Sequence, residues 1–314
     1  MGLFYLLTLY CVIRGRYVAA AVACALGMGC KEVMATAPLI VLLYDRAFLA
    51  GSFREALRQR RALYAGLAAT WVVLAVILWA TPGDRLDMDF VWKYARSQPE
   101  FIARYLRLSF WPAPLVVDYG GDTLADPWRI ALYGALIGAL VAGTVVALVK
   151  KPALGFLGAW LFLILAPSSS VFPLIHQTAA GKRMYLPLVA VIVLAVAAAY
   201  RVLRQRRYAA MGLTGAVVIA LGFVTVRRNH DYRSDLSIWQ DTVAKRPENF
   251  RARNNLGNAL WTVGRTAEAI EQYREALRIN PDDAWAHYNL GCVLEKMGRV
   301  GDAVAHYEIG RAHV

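Results

Sequence analysis

Residues 255–273 read NLGNALWTVGRTAEAIEQY, and residues 289–307 read NLGCVLEKMGRVGDAVAHY. The two stretches align at a constant offset of 34 residues and share Asn-Leu-Gly, Gly-Arg, Ala and Tyr at the same positions. A fixed period of this length indicates stacked copies of one short supersecondary unit. This repeat decides the fold of the C-terminal part of the chain.

The period and the Leu-Gly, Ala, aromatic and Pro positions match the tetratricopeptide repeat, a pair of antiparallel helices. A small residue such as Gly257 allows the two helices to pack closely. Residues 236–247 fit the second helix of a preceding half-repeat, since Trp239 stands 34 residues before Tyr273. We therefore expect residues 229–308 to form a half-repeat followed by nearly two repeats.

Repeat stacks of this kind bind extended polypeptides on a concave surface. Asn255 and Asn289 occupy the same repeat position, so their amides could hydrogen-bond a peptide backbone at regular spacing. The alternative is ordinary polarity of a helix surface. The sequence thus predicts a polypeptide partner, with Asn255 and Asn289 as candidate groove residues.

The composition indicates a membrane protein. Apolar residues make up 58% of the chain, charged residues only 18%, and the mean hydropathy is +0.41. This balance disfavours both a soluble enzyme and a disordered chain. The net charge is +13, but 24 Lys/Arg against 10 Asp/Glu lie in the apolar residues 1–228. The basic excess is therefore better explained by loops that orient membrane spans than by nucleic-acid binding, which we do not expect.

Residues 1–228 contain eight apolar stretches that could be helices in a lipid bilayer. Three of them approach the roughly 20 residues that a spanning helix needs. The stretches are 2–13, 17–30, 33–44, 62–81, 127–149, 153–166, 185–200 and 208–226. The predicted fold class is all-α: a polytopic membrane helical bundle, followed by tetratricopeptide-repeat hairpins.

The charges of the loops predict an orientation. One alternating set of four short loops carries 13 basic residues and is expected in the cytoplasm. These residues are Arg14, Arg16, Arg46, Arg54, Arg58, Arg60, Arg61, Lys150, Lys151, Arg201, Arg204, Arg206 and Arg207. The opposite set, including the loop 82–126 and the repeat tail, then lies outside. We expect an integral protein of a bacterial inner membrane or its equivalent, with an extracytoplasmic tail.

The outer loop 82–126 contains a second amphipathic pattern. Phe101, Tyr105 and Leu108 stand at helical spacing, and Pro112 follows as a stop signal. The pattern predicts a helix at the membrane interface. It could simply anchor the loop, or it could form one wall of a site for a lipid-linked ligand.

Charged residues near membrane depth are the candidate site residues. Lys31 and Glu32 separate two apolar stretches, and could form either a substrate site or an ion pair at a helix turn. Lys182, Arg183 and Tyr185 stand around the start of a later apolar stretch. These basic side chains could bind a lipid phosphate, or they could extend to the interface without a ligand. For Arg183 we expect an interface position without a buried partner.

The cysteines predict neither a disulfide framework nor a metal site. No CxxC pair occurs among Cys11, Cys24, Cys30 and Cys292. Zinc sites and small disulfide-rich folds both need characteristic cysteine spacings. We therefore expect no bound metal.

Both ends of the chain carry unusual features. Met1 begins inside an apolar run, from which we expect N-terminal sequence to be missing. Residues 309–314, IGRAHV, correspond to the translation of a common sequencing-adapter read. We interpret them as an assembly artefact.

Three stretches together resemble the transmembrane and tetratricopeptide repeat-containing family. They are Gly29-Cys-Lys-Glu32 leading to Tyr44-Asp45, the run KRMYLP at 182–187, and the run SIWQDTVAKRP at 237–247. The resemblance implies a GT-C-like glycosyltransferase that takes a sugar, typically mannose, from a polyprenyl-phosphate carrier to protein hydroxyls. The carrier-linked sugar would be the donor, and no cofactor is bound covalently.

The resemblance does not identify a catalytic residue. The family places its acidic motif upstream of the Lys-Glu pair, but no acidic residue precedes Lys31 here. The catalytic residue is therefore unknown. Of the acidic-His-Arg run that relatives carry before Met-Tyr-Leu-Pro, only Arg183 has a match. Two hypotheses follow: part of a protein O-mannosyltransferase, or a non-catalytic membrane-anchored repeat scaffold.

Overall fold

The computed structural model describes residues 1–80, 88–120, 126–167, 181–203 and 205–312, without the side chains of 88–90, 93, 181, 182 and 207. Every regular element in these residues is helical, which confirms the all-α fold class. The α-helices are α1 (Gly2–Ile13), α2 (Tyr17–Met28), α3 (Ala37–Tyr44), α4 (Phe53–Gln59), α5 (Arg61–Ala80), α6 (Met88–Phe110), α7 (Pro127–Lys150), α8 (Pro152–Ala166), α9 (Leu188–Leu203), α10 (Arg207–Asp231), α11 (Asp235–Lys245), α12 (Phe250–Thr262), α13 (Thr266–Ile279), α14 (Ala284–Lys296) and α15 (Val300–Ala312).

Among the residues that the structure describes, three helices are long and apolar enough to cross a membrane. They are α5, the segment Tyr208–Asp231 of α10, and α7. A fourth span is possible if Glu32–Leu49 and Phe53–Gln59, which are bent by 104°, are counted together. The apolar helices α1, α2, α8 and α9 have 12 to 16 residues. At about 1.5 Å per residue they are shorter than a hydrocarbon core of about 30 Å. The eight predicted stretches are thus helical, but only some have the length of a span.

One compact unit comprises the described residues of Met1–Trp111, Thr123–Leu174 and Lys182–Ala198. Within it α2 packs against both α1 and α5, and α7 packs against α8. Gly155 permits the second contact, because a β-carbon there would lie 2.2 Å from the backbone nitrogen of Leu148. One buried polar group of this unit is well satisfied: Tyr64 donates to the fully buried Asp45 at 2.7 Å, and Arg60 pairs with the same carboxylate.

The second unit contains the described residues of Pro112–Asp122 and Ala199–Val314. Helices α12 and α13 form one of the hairpins predicted from the period, α14 and α15 form the next, and α11 packs on α12; the assignment of α11 to a half-repeat stays a prediction. Leu256, Tyr273 and Leu290 lie in the core shared by these helices. Each hairpin turns at a glycine with positive φ, Gly264 (+82°) and Gly298 (+80°), a conformation that other residues rarely adopt. Helix α15 includes residues 309–312; their interpretation as an artefact stays a prediction.

Candidate functional site

Three of the predicted site residues, distant in sequence, line one cavity. Lys31, Arg183 and Tyr185 surround it together with the apolar residues Met1, Val33, Ile164 and Leu186. Its volume is about 20 Å³, which is room for roughly one water molecule. The cavity therefore gathers two cationic side chains and a phenol at one end of the helical unit.

Local backbone structure explains this meeting. Helix α2 ends before Gly29, and Lys31 has an extended backbone (φ −169°) ahead of a 3-10 helix at Glu32–Thr36. A second 3-10 turn, Gly181–Met184, precedes α9. The indole of Trp160 in α8 donates to the Leu186 carbonyl at 2.9 Å. The two charged turns are thus each held beside packed apolar helices.

Arg183 is more deeply buried than the sequence indicated. Its exposed fraction is 6%, and its guanidinium donates to the Tyr94 hydroxyl at 3.2 Å. The expectation of an interface arginine without a buried partner is therefore wrong. The physical reason is that α6 begins at Met88, so that Tyr94 lies on a helix rather than in a loop. A fixed guanidinium is suited to hold an anion in one orientation.

Glu32 combines burial with an unused acceptor. Its Oε1 atom is buried and has no hydrogen-bond partner among the described residues. The sequence allowed an ion pair between Lys31 and Glu32 as one of two interpretations. Within the described part of the chain, the two residues form no ion pair. A buried carboxylate oxygen without a donor is costly, and native structures usually satisfy it with a ligand or water. The Glu32 Oε1 atom is thus available to accept a hydrogen bond.

Tyr185 lies at the exposed edge of the cavity. Half of its surface (52%) is accessible, and its ring covers Gly2, where a β-carbon would lie 2.6 Å from the phenolic oxygen. The side chain of Lys182, which was predicted beside it, lies outside the described part. Tyr185 is therefore the most exposed residue of the cavity lining.

Helix α6 contributes two polar residues that the sequence analysis did not name, Tyr94 and Gln98. Both are buried, and with the buried Phe101 and Tyr105 they follow helical spacing. This spacing could have placed the start of the predicted helix earlier in the chain. Gln98 Oε1 is buried without a hydrogen-bond partner among the described residues. The helix predicted from Phe101, Tyr105 and Leu108 is confirmed, and it already begins at Met88.

The same helix carries a buried carboxylate, Glu100. Its Oε1 atom accepts from Arg104 at 3.2 Å and from Arg129 at 2.8 Å. Its Oε2 atom is buried without a partner among the described residues. Glu100 therefore joins α6 to α7 through its ion pair with Arg129.

The two candidate groove asparagines differ in their contacts. Asn289 donates to Asn254 Oδ1 of the preceding hairpin at 3.0 Å, so its amide connects successive repeats. Asn255 is half-buried on α12. Of the pair, Asn255 therefore has the amide that is better placed to meet a bound chain.

The comparisons with known proteins agree with this architecture. Residues 263–298 match the family model described as TPR repeat. The chain is 28% identical over 130 residues to protein O-mannosyl-transferase Tmtc3 of Drosophila melanogaster, covering 40% of this chain and 14% of that protein. It is 30% identical over 128 residues to protein O-mannosyl-transferase Tmtc2 of the same organism, covering 40% of this chain and 13% of that protein. The chain thus has a tetratricopeptide repeat and a distant, partial similarity to Tmtc O-mannosyltransferases.

Proposed function

We propose that this chain is part of a membrane protein O-glycosyltransferase of the GT-C type, which moves a sugar, typically mannose, from a polyprenyl-phosphate carrier to a protein hydroxyl. The observation that carries the proposal is the single cavity shared by Lys31, Arg183 and Tyr185. The similarity to proteins named O-mannosyl-transferases supports the same reaction class.

In the proposed reaction, the acceptor oxygen forms a bond to the sugar's anomeric carbon while the bond to the carrier phosphate breaks. The phosphate leaves with the bonding electrons and gains negative charge. Lys31 and Arg183 would stabilise that charge, and Arg183 can do so with two parallel hydrogen bonds. Burial strengthens this interaction, because little water competes for the phosphate.

The acceptor hydroxyl must lose its proton to a base during the same step. Glu32 directly follows Lys31 and has a buried oxygen without a donor, so it is the first carboxylate to test for this role. General bases of this kind must reach the hydroxyl within hydrogen-bonding distance. The catalytic residue remains unassigned by sequence, and Glu32 enters as a proposal from the geometry.

A phosphate is larger than the cavity of about 20 Å³. Donor binding in this proposal therefore requires that Tyr185, the half-exposed residue of the lining, swings outward. The repeats would hold the acceptor polypeptide outside the cytoplasm, in the orientation expected from the basic loops. Lys182 remains a candidate for a second cation at the phosphate.

Donor binding provides the test. The chain, reconstituted in lipid nanodiscs, should retain fluorescent polyprenyl-phosphate-mannose more tightly than the corresponding polyprenol. Lys31→Gln should weaken that binding by about tenfold, the effect of about 1.4 kcal/mol. Arg265→Gln, which removes an exposed charge on the repeats, is the control and should have no effect. Equal retention of both lipids would contradict the proposal.

The second candidate function is a membrane-anchored repeat scaffold without chemistry. It is favoured by one observation, that the matched family model covers repeat residues 263–298 alone. A scaffold would bind polypeptides and would not distinguish the phosphorylated lipid from the polyprenol. The nanodisc experiment therefore separates the two functions.

A further inference from the structure

A segment outside the repeats is bound to the repeat helices. Residues 112–120, here called the strap, follow α6 in the chain and belong to the same compact unit as α11 and α12. Arg251 donates from Nε to Asp118 Oδ2 at 2.9 Å and from NH2 to Oδ1 at 3.1 Å. Asn249 also donates to the Asp118 carbonyl at 3.0 Å. A two-point ion pair of this geometry is strong and orients both partners.

The strap and the turn between α11 and α12 enclose a cleft of about 170 Å³. Tyr119 and Gly120 of the strap form one side, and residues 245–250 form the other. Gly120 has φ +84°, so the strap needs glycine at this bend. The cleft has the size of a short side chain, and its walls are held in place by Asp118.

Arg246 lines this cleft and has one unsatisfied donor. Its Nε atom is buried and has no acceptor among the described residues, and its guanidinium lies 6.0 Å from the Tyr119 ring centroid. The neighbouring cation is already used, since Lys245 binds Asp241 at 2.6 Å and the Leu115 carbonyl at 3.2 Å. Buried donors normally have an acceptor, because desolvation without one is unfavourable. The missing acceptor is therefore the feature that indicates a ligand.

We propose that this cleft binds an aspartate or glutamate side chain of the polypeptide that the repeats hold. The proposal rests on the polypeptide-binding role assigned to the repeats under the proposed function. The cleft lies at the start of α12, whose positive dipole end favours a negative group. Asn255 is on the same helix, so a chain running along α12 passes both positions.

The charge of the cleft favours a carboxylate over a phosphate. Glu248 lines the cleft as well, and its negative charge opposes a doubly charged group more than a singly charged one. Arg246 is the lining cation that has no carboxylate partner within the described residues. A planar carboxylate also matches the planar guanidinium in geometry.

Peptide pairs test the site. Short fluorescent Ser/Thr-containing peptides, each with one Glu, are compared with twins that carry Gln, using the full chain in nanodiscs. The Glu peptides that reach the cleft should bind about tenfold more tightly than their twins, as expected for one charge-assisted hydrogen bond. Arg246→Gln should remove this preference. Arg246→Lys, which keeps the charge without the planar fork, should retain part of it.

Arg278→Gln is the matched control, because it removes the same charge from an exposed residue of another helix. It should leave the Glu preference intact, and circular dichroism should show equal helix content for all variants. Equal binding of the twins by the parental chain would overturn the inference, as would an equal loss in Arg278→Gln. The inference would also be overturned if the parental chain bound none of the peptides. The donor-lipid experiment tests the proposed transferase separately.

Discussion

Tyr273 packs directly onto Gly257: a β-carbon on that glycine would lie 2.5 Å from the Cε1 atom of the ring. The next repeat has the same relationship between Tyr307 and Gly291, at 2.6 Å. Tyr273 is fully buried, and its hydroxyl donates to Asn258 at 2.7 Å. The closest approach of the two helices in each hairpin is thus made possible by the absence of one side chain.

Gly257→Ala should destabilise the repeat region. Alanine is the better helix former by up to about 1 kcal/mol, but the new methyl group overlaps a buried ring. Overpacking of this kind costs about 1–3 kcal/mol, so the net effect should be a loss. Hydrogen exchange of the α12 and α13 amides measures it. Gly301→Ala, with no neighbouring atom within 4 Å, should be neutral or stabilising. Equal behaviour of the two variants would contradict the packing argument.

The second repeat contains a hydrogen-bonded histidine pair. His287 Nδ1 lies 2.8 Å from His306 Nδ1, and His287 Nε2 lies 2.9 Å from the Pro281 carbonyl oxygen. A carbonyl can only accept, so Nε2 of His287 carries hydrogen. In neutral His287, Nδ1 then accepts from His306.

In the preceding repeat, the contacts that correspond to those of His287 are made by residues that do not titrate near neutral pH. Arg253 stands 34 residues before His287 and donates to the Pro247 carbonyl at 2.7 Å. It also donates to Gln272, the counterpart of His306, at 3.2 Å. The first repeat is therefore an internal control for the pH response of the second.

Acidification should weaken the second repeat. Burial and the neighbouring His287 lower the pKa of His306 below its usual value. The unfolded chain then binds more protons than the folded one below about pH 6.5, so stability falls as the pH drops and levels off below the lowered pKa. Thermal unfolding between pH 7.5 and pH 5, at about half-unit steps, measures the loss. His306→Gln, which copies Gln272, should flatten the profile. If the variant keeps the parental dependence of stability on pH, the histidine pair is not the cause of that dependence.

Arg183→Lys should impair both donor binding and stability. Lysine keeps the charge but loses the planar fork, so we expect about tenfold weaker retention of polyprenyl-phosphate-mannose. Loss of the hydrogen bond to Tyr94 should also cost about 0.5–1.5 kcal/mol of unfolding free energy. Tyr94→Phe separates the effects, because it removes that bond and keeps the guanidinium. It should lower the melting temperature while donor retention stays near the parental level. Parental donor retention in Arg183→Lys would exclude the phosphate role.

The orientation of the repeats is a further prediction. From the 13 basic residues of the four short loops we expect those loops in the cytoplasm and the repeat tail outside. A reporter that is active only in the cytoplasm, fused after Asn229, should therefore be silent. A fusion after Lys151, in one of the basic loops, is the positive control. A strong signal from the Asn229 fusion would reverse the assignment.

The sequence alone determined the repeat region. Helices α12 to α15 follow from the period of 34 residues because each hairpin packs on its neighbours in the chain. Gly257 and Tyr273 could be paired in advance for the same reason. The apolar stretches likewise predicted helices, since hydrophobic composition is a local property. The number of membrane spans was harder to predict, because it depends on where each helix begins and ends.

Only the tertiary structure decided which distant side chains meet. Lys31 and Arg183 were separate candidates, and their shared cavity depends on how α2, α8 and the turn before α9 pack. The partner of Arg183 is Tyr94, 89 residues away, and the partner of Asp118 is Arg251, 133 residues away. No periodic pattern encodes such pairs, because each arises from the packing of whole helices and segments. The sequence therefore determined the elements and their charges, whereas long-range packing determined the contacts that form the candidate sites.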